Sequence, residues 1–154
     1  MKDYILGVDL GGTNIKAAAY RLGSYEKVGE KRLPTQVEGG WEHVLDRVLA
    51  ALEELLRQTP RERVLCVGMG VPGLLDIEAG VSRFSPNFPQ WEDVPVAAWL
   101  EERLLGPARR VVESHALAIS RAGCEIVTAQ LGDAAGMLGA AVYGARRMGE
   151  GARM

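Results

Sequence analysis

The sequence predicts an α/β fold built on a mixed sheet flanked by helices, and three stretches predict it. Tyr4 to Leu10 is a short apolar run broken by Gly11-Gly12 and followed by a second apolar run, Ile15 to Tyr20, which is a strand, turn, strand pattern. Val44, Leu45, Val48, Leu49, Leu52, Leu55 and Leu56 recur at steps of three and four residues, which puts them on one helical face. Val64 to Met69 is a continuous apolar run soon after that helix, short and β-branched enough to be a buried strand parallel to the first. Antiparallel opening strands and a parallel partner together make the sheet mixed.

The remaining elements follow in chain order. Lys27 to Leu33 is more polar and ends at Pro34, which suits an outer strand, because proline has no N–H to give a central ladder. The first helix opens after Gly39-Gly40 and stops near Thr59-Pro60. Leu74 to Ile77 and Val81 to Phe84, joined across Glu78-Ala79-Gly80, read as a hairpin, and Ser85-Pro86-Asn87-Phe88-Pro89 reads as loop. Asp93 is expected to cap a helix with Pro95 in its first turn and Val96, Trp99, Leu100 and Leu104 as its buried face. Beyond Gly106 the pattern predicts a helix from Pro107 to about Ala118, a short strand from Glu125 to Ala129, and a final helix from Asp133 to about Arg147. Gly132, Gly136, Ala140 and Gly144 fall four apart, so one stripe of that last helix is nearly bare and lets another backbone approach.

Composition narrows the function. A chain of 154 residues, 47% hydrophobic and 25% charged, can bury a core as one domain without metal or disulfide support. The formal net charge of -2 supplies no field for nucleic acid or an anionic membrane, so the expected partner is a small molecule. Cys66 and Cys124 stand in no Cys-x-x-Cys or Cys-x-Cys arrangement, so zinc is not expected. The strand-like run follows Met1-Lys2-Asp3 directly, without a charged leader, and no apolar stretch is long enough to span a bilayer; a cytoplasmic, reducing location is the expectation.

Three segments carry candidate chemistry. In Gly7-Val8-Asp9-Leu10-Gly11-Gly12-Thr13-Asn14, two glycines at a strand end can turn N–H groups outward as a nest for phosphate oxygens, with Thr13 and Asn14 adding donors. Asp9 is placed to hold the magnesium of a triphosphate; the plainer alternative is a tight hairpin in which Asp9 bonds turn amides. Gly68-Met69-Gly70-Val71-Pro72-Gly73 ends the parallel strand, where ligands of open α/β sheets collect, or is simply a strained turn into the next hairpin. Asn87, between Pro86 and the Phe88-Pro89 pair and upstream of Trp91, has an amide able to donate and accept to neighbouring hydroxyls, or forms an Asx-type turn over a buried Trp91. His43 reads as a surface residue and His115 as a neutral helical side chain without catalytic partners.

Asp9-Leu10-Gly11-Gly12-Thr13-Asn14 with Lys16, then Gly70-Val71-Pro72-Gly73, then Asn87 and Trp91, in that order, resemble the first lobe of ROK-family sugar kinases, glucokinase-like members above all. Residues 125–141 resemble the family's C-terminal end, whose last helix returns to the first lobe. The resemblance implies an actin-like, ribonuclease H-like lobe over residues 1–105 and a C-terminal remnant over 106–154, joined where an internal stretch of the family is missing. It implies ATP-dependent phosphorylation of a hexose, glucose first, with ATP and Mg2+ as cofactors. Asp9, Gly11, Gly12, Thr13 and Lys16 then lie near the phosphates, with Asp9 on the metal, and Gly73 and Asn87 near the sugar.

No catalytic residue carries over. The family's general base is the aspartate of a Glu-Asn-Asp segment, and no Asn-Asp pair occurs in the sequence; Glu113-Ser114-His115 is set aside because Pro107 through Gly123 matches the family's late helix better. The second phosphate loop and the zinc segment are absent too, so impaired or no kinase activity is expected, with a binding module or a shortened gene product as alternatives. An uncovered face where a second lobe packs in the family would favour a homo-oligomer.

Overall fold

The computed structural model describes residues 1–88 and 90–104, the backbone of 126–129, and residues 137, 140–142 and 144–146. Its main sheet has five strands. β1 (Tyr4–Leu10) pairs antiparallel with β2 (Asn14–Arg21), and β2 pairs antiparallel with β3 (Lys27–Pro34) at the edge. On the other side of β1 lies β4 (Val64–Gly70), parallel to it, followed by Ile126–Ala129, parallel to β4 and named β8 in chain order. The mixed sheet and the outer position of the third strand are as the sequence predicts. A register shift between Tyr4 and Leu6 marks an irregularity in the β1–β4 pairing.

Alternation along the strands sorts the residues onto two faces. Leu6, Val8, Leu10, Ile15, Ala17 and Ala19 face α1 (Gly40–Leu56), whose Val44, Leu45, Val48, Ala51, Leu52 and Leu55 are buried against them. Each fully buried Leu or Val of that layer contributes about 1.5–3 kcal/mol, so one apolar stripe is enough to seat the helix. The helix ends at Leu56, and Thr59 Oγ1 donates to the carbonyl oxygen of Leu55 at 2.8 Å.

The opposite face mixes small and large residues. Ile5, Ala18, Tyr20 and Cys66 pack there with Met137, Ala141 and Ala145 of the last helical segment. A Cβ added at Gly7 would run into the carbonyl oxygen of Met137, and one at Gly68 into that of Ala140. Gly144 returns the fit, since a Cβ there would sit 3.2 Å from Cys66 Sγ and 3.7 Å from the Gly68 Cα. The close approach expected from the bare stripe is therefore present at Ala140 and Gly144, and it needs glycines in the strands as well. Gly132, Gly136, the start of that helix, the 107–118 helix, His115 and Cys124 lie outside the described residues.

A second, three-stranded sheet follows β4. β5 (Leu74–Asp76) and β6 (Val81–Phe84) form the expected hairpin, and β7 (Glu92–Val94) adds to β6 with Ser82 opposite Val94 and Phe84 opposite Glu92. Here one expectation is corrected: Asp93 belongs to β7 and caps no helix. Its backbone turns through a left-handed φ of 49° between the paired Glu92 and Val94, and its carboxylate pairs with Arg83, 2.9 Å from Nη1 to Oδ1. The helix α2, residues 96–104, begins after Pro95, whose carbonyl oxygen accepts from the Trp99 N–H at 2.9 Å. Val96, Trp99, Leu100 and Leu104 are buried, as expected.

Candidate functional site

A cleft of about 560 Å³ opens beyond the C-terminal ends of β1 and β4. Parallel strands release their chains there, and turns rather than side-chain packing fill the space, which is why ligands of open α/β sheets bind at this edge. Asp9, Gly11, Gly12, Thr13 and Lys16 from the first segment, Gly73 from the second and Asn87 from the third all line it. Three segments far apart in the chain thus meet in one place.

The Gly-Gly turn closes β1 on β2 with the Gly11 N–H donating to the Asn14 carbonyl oxygen at 3.0 Å. A Cβ at Gly11 would lie 2.9 Å from that same oxygen, so the tight closure excludes a side chain. Behind the turn, buried Thr35 donates from Oγ1 to the Gly11 carbonyl oxygen and from its N–H to that of Thr13. Gly12 and Thr13 are exposed at the apex. The turn is held from the carbonyl side, and its apex faces solvent and the cleft.

Gly73 has φ +108°, a region that side-chain-bearing residues rarely enter, and a Cβ there would collide with the Phe84 carbonyl oxygen. That close approach presses the second segment against the start of the third. The Phe88 N–H donates to Ser85 and the Trp91 N–H to Phe88, at 3.3 and 3.2 Å, so the chain descends in successive turns. Trp91 is buried against Phe88 with ring centroids 4.8 Å apart, whereas Asn87 is exposed on the cleft side. A Cβ on Gly12 would stand 3.7 Å from the Asn87 Cβ, so the first and third segments lie side by side.

Charge enters through one row of the sheet. Asp9 is the one carboxylate among the described residues lining the cleft, and Lys16, its direct cross-strand partner, places Nζ 3.9 Å from Oδ2. Arg32 of β3 sits opposite Lys16 and also lines the cleft. The sequence reading missed Arg32 and Thr35. The polar alternation of β3 was the available signal for the first, and a threonine directly after the strand-ending Pro34 for the second. Exposed His43 places Nε2 3.1 Å from Gln36 Oε1, a surface arrangement away from the cleft lining. No helix among the described residues is long and apolar enough to cross a membrane.

This sheet order, with a glycine turn at the end of β1, defines the class: an α/β lobe of the actin-like kinases. The family model "ROK family" matches residues 5–122. A glucokinase from Thermotoga maritima is 39% identical over 103 residues, 64% of this chain and 30% of its own length. Among solved structures, a ROK hexokinase from Thermus thermophilus aligns with TM-score 0.55 and 35% identity over 64% of this chain and 31% of its own. A ROK family glucokinase from Streptomyces griseus, solved with glucose and AMPPNP, has TM-score 0.60 over 81% of this chain and 32% of its own, and at 22% identity the likeness is one of fold. The chain belongs to the ROK family, and it spans about a third of the length of these relatives.

Proposed function

We propose that these residues form the ligand-binding lobe of an ATP-dependent ROK sugar kinase, with a hexose, glucose first, as acceptor. The observation that supports this best is the convergence of the three motif segments on one cleft, with Gly12 beside Asn87. In this reading the exposed turn at Gly11, Gly12 and Thr13 receives the phosphate oxygens, and Lys16 supplies a compact positive charge. Asn87 offers its amide to vicinal hydroxyls while the Gly73 backbone closes the sugar's side of the cleft.

The donor set suits magnesium nucleotide: one carboxylate on Asp9 beside a glycine turn too tight for side chains. Magnesium neutralises phosphate charge when bound, and Asp9 would hold it, in keeping with the ion's preference for few carboxylates and retained water. Asp9 and Lys16 orient the tail, the turn holds it, and Asn87 orients the acceptor hydroxyl; positioning and electrostatics are most of what phosphoryl transfer asks of a protein.

We infer further that the 154-residue chain binds without appreciable turnover. It contains no Asn-Asp pair to supply the family's base, and loss of a general base alone costs a factor of about 10² to 10⁴. The same observation favours a second reading, a sugar- or nucleotide-binding regulatory module. Calorimetric titration with MgATP and with glucose, beside a coupled assay for glucose-dependent ADP release, tests both. Binding with turnover near background is expected. No binding of either ligand overturns the assignment of the cleft, and robust ADP release overturns the inference about turnover.

A further inference from the structure

The cleft contains a charged residue that the motif segments do not include. Across neighbouring strands, Arg32, Lys16, Asp9 and Gly70 stand directly opposite one another in register, and residues so paired project from the same face of the sheet. The row carries two cations against one carboxylate; beside it on β3, Glu30 pairs with Lys27 and also attracts Arg32 and Lys16. Lys16 reaches Asp9, but Arg32 has no ion-pair or hydrogen-bond partner among the described residues, and it is exposed. Like charges directly opposite each other in a ladder are destabilising. An anion lying across both would turn that repulsion into attraction.

Geometry says which part of an anion Arg32 meets. It stands on the edge strand, one strand further from Asp9 than Lys16, and strand spacing is about 4.8 Å. Lys16 already spans one strand spacing to reach Asp9, so Arg32 can span the next, and it meets a group held by the Gly11–Gly12 turn and Lys16 more fully the further that group extends toward β3. A single phosphoryl group at the turn offers Arg32 few oxygens, whereas a chain of linked phosphoryl groups running toward β3 presents oxygens to both cations. The guanidinium fork matches phosphate oxygens in pairs, which a lysine at the same place does not reproduce.

We propose that Arg32 binds the phosphate chain of the donor and sets a preference for donors with several linked phosphoryl groups over shorter ones. This rests on the reading of the cleft as a phosphate-donor site. The residue is a specificity determinant and needs no role in the chemistry, so binding alone tests it.

The experiment titrates the 154-residue chain and its Arg32→Gln, Arg32→Lys and Lys16→Gln variants with MgATP, MgADP, AMP and inorganic tripolyphosphate, after thermal unfolding has shown each variant folded. For Arg32→Gln, MgATP and tripolyphosphate affinities should fall about tenfold or more, as losing a charge-assisted hydrogen bond implies, while AMP affinity stays within about twofold. Arg32→Lys should recover only part. Wild-type binding of MgATP with Arg32→Gln indistinguishable from it overturns the proposal and leaves the donor-site reading standing, as does an equal loss for AMP and MgATP. Absence of binding by the wild type to all four probes overturns the donor-site reading itself, and this proposal with it.

Discussion

The hydroxyl of Thr35 donates a 2.6 Å hydrogen bond to the carbonyl oxygen of Gly11. Thr35 is fully buried at the end of β3, and its own N–H donates to Thr13 at 2.9 Å, so both sides of the β1–β2 turn hang on one residue from a neighbouring strand. Thr35→Val keeps the shape and removes the hydroxyl. A loss of about 0.5–1.5 kcal/mol is expected, the net contribution of one part-buried hydrogen bond. Thr35→Ser should recover most of it. Urea unfolding reads the stability, and MgATP titration should show weaker binding for the valine variant alone.

Gly73 tests the second segment. Its φ of +108° and the collision of any Cβ with the Phe84 carbonyl oxygen make Gly73→Ala a combined backbone and steric insult. We expect a loss of about 3 kcal/mol or more, and a glucose titration signal that falls with it, because the 85–88 turns carrying Asn87 must move. An alanine variant as stable as wild type would remove the close approach from the account of the site.

The fit of the last helical segment on the sheet predicts a contrast between two glycines. Gly68→Ala places a methyl against the Ala140 carbonyl oxygen and should destabilise by about 2 kcal/mol or more. Gly23→Ala, at φ +94° with nothing within 4 Å, meets only backbone strain and should cost about 1 kcal/mol. Thermal unfolding of the pair separates steric from conformational effects.

Asp76 predicts a pH dependence. The Ala79 N–H and then Arg83 hold its carboxyl below the usual carboxylate range. A depressed folded value means that its stabilisation is complete above the unfolded value, about pH 4, and is lost as pH falls through the lower folded value. Wild type should therefore exceed Asp76→Asn in denaturant midpoint near neutrality, and the two curves should converge on acidification. Convergence at alkaline pH instead would contradict the assignment.

Most of the fold was legible in residue order. Short apolar runs bounded by glycine gave β1, β2 and β4, and the leucine and valine spacing gave α1, because these signals depend only on near neighbours. β7 was not legible: Glu92-Asp93-Val94 offers two acids and one apolar residue, no alternation to detect, and a capping signature at Asp93 that the Arg83 ion pair overrides. In the site, the glycine turn, Gly73 and Asn87 were visible as motifs. Thr35 and Arg32 were not, because a hydroxyl under a turn and a cation beside Lys16 acquire meaning only from strand register.

By itself the sequence determined β1 to β6 and α1 in outline, where the chain must turn, and the resemblance to ROK kinases. Tertiary structure decided that Gly12 lies beside Asn87, that Arg32 and Lys16 share a row with Asp9, and that glycines on β1 and β4 admit the last helical segment. Periodicity and turn propensity act over a few residues of chain, whereas these relations arise from which strands pair, in what register, and how closely two backbones can approach.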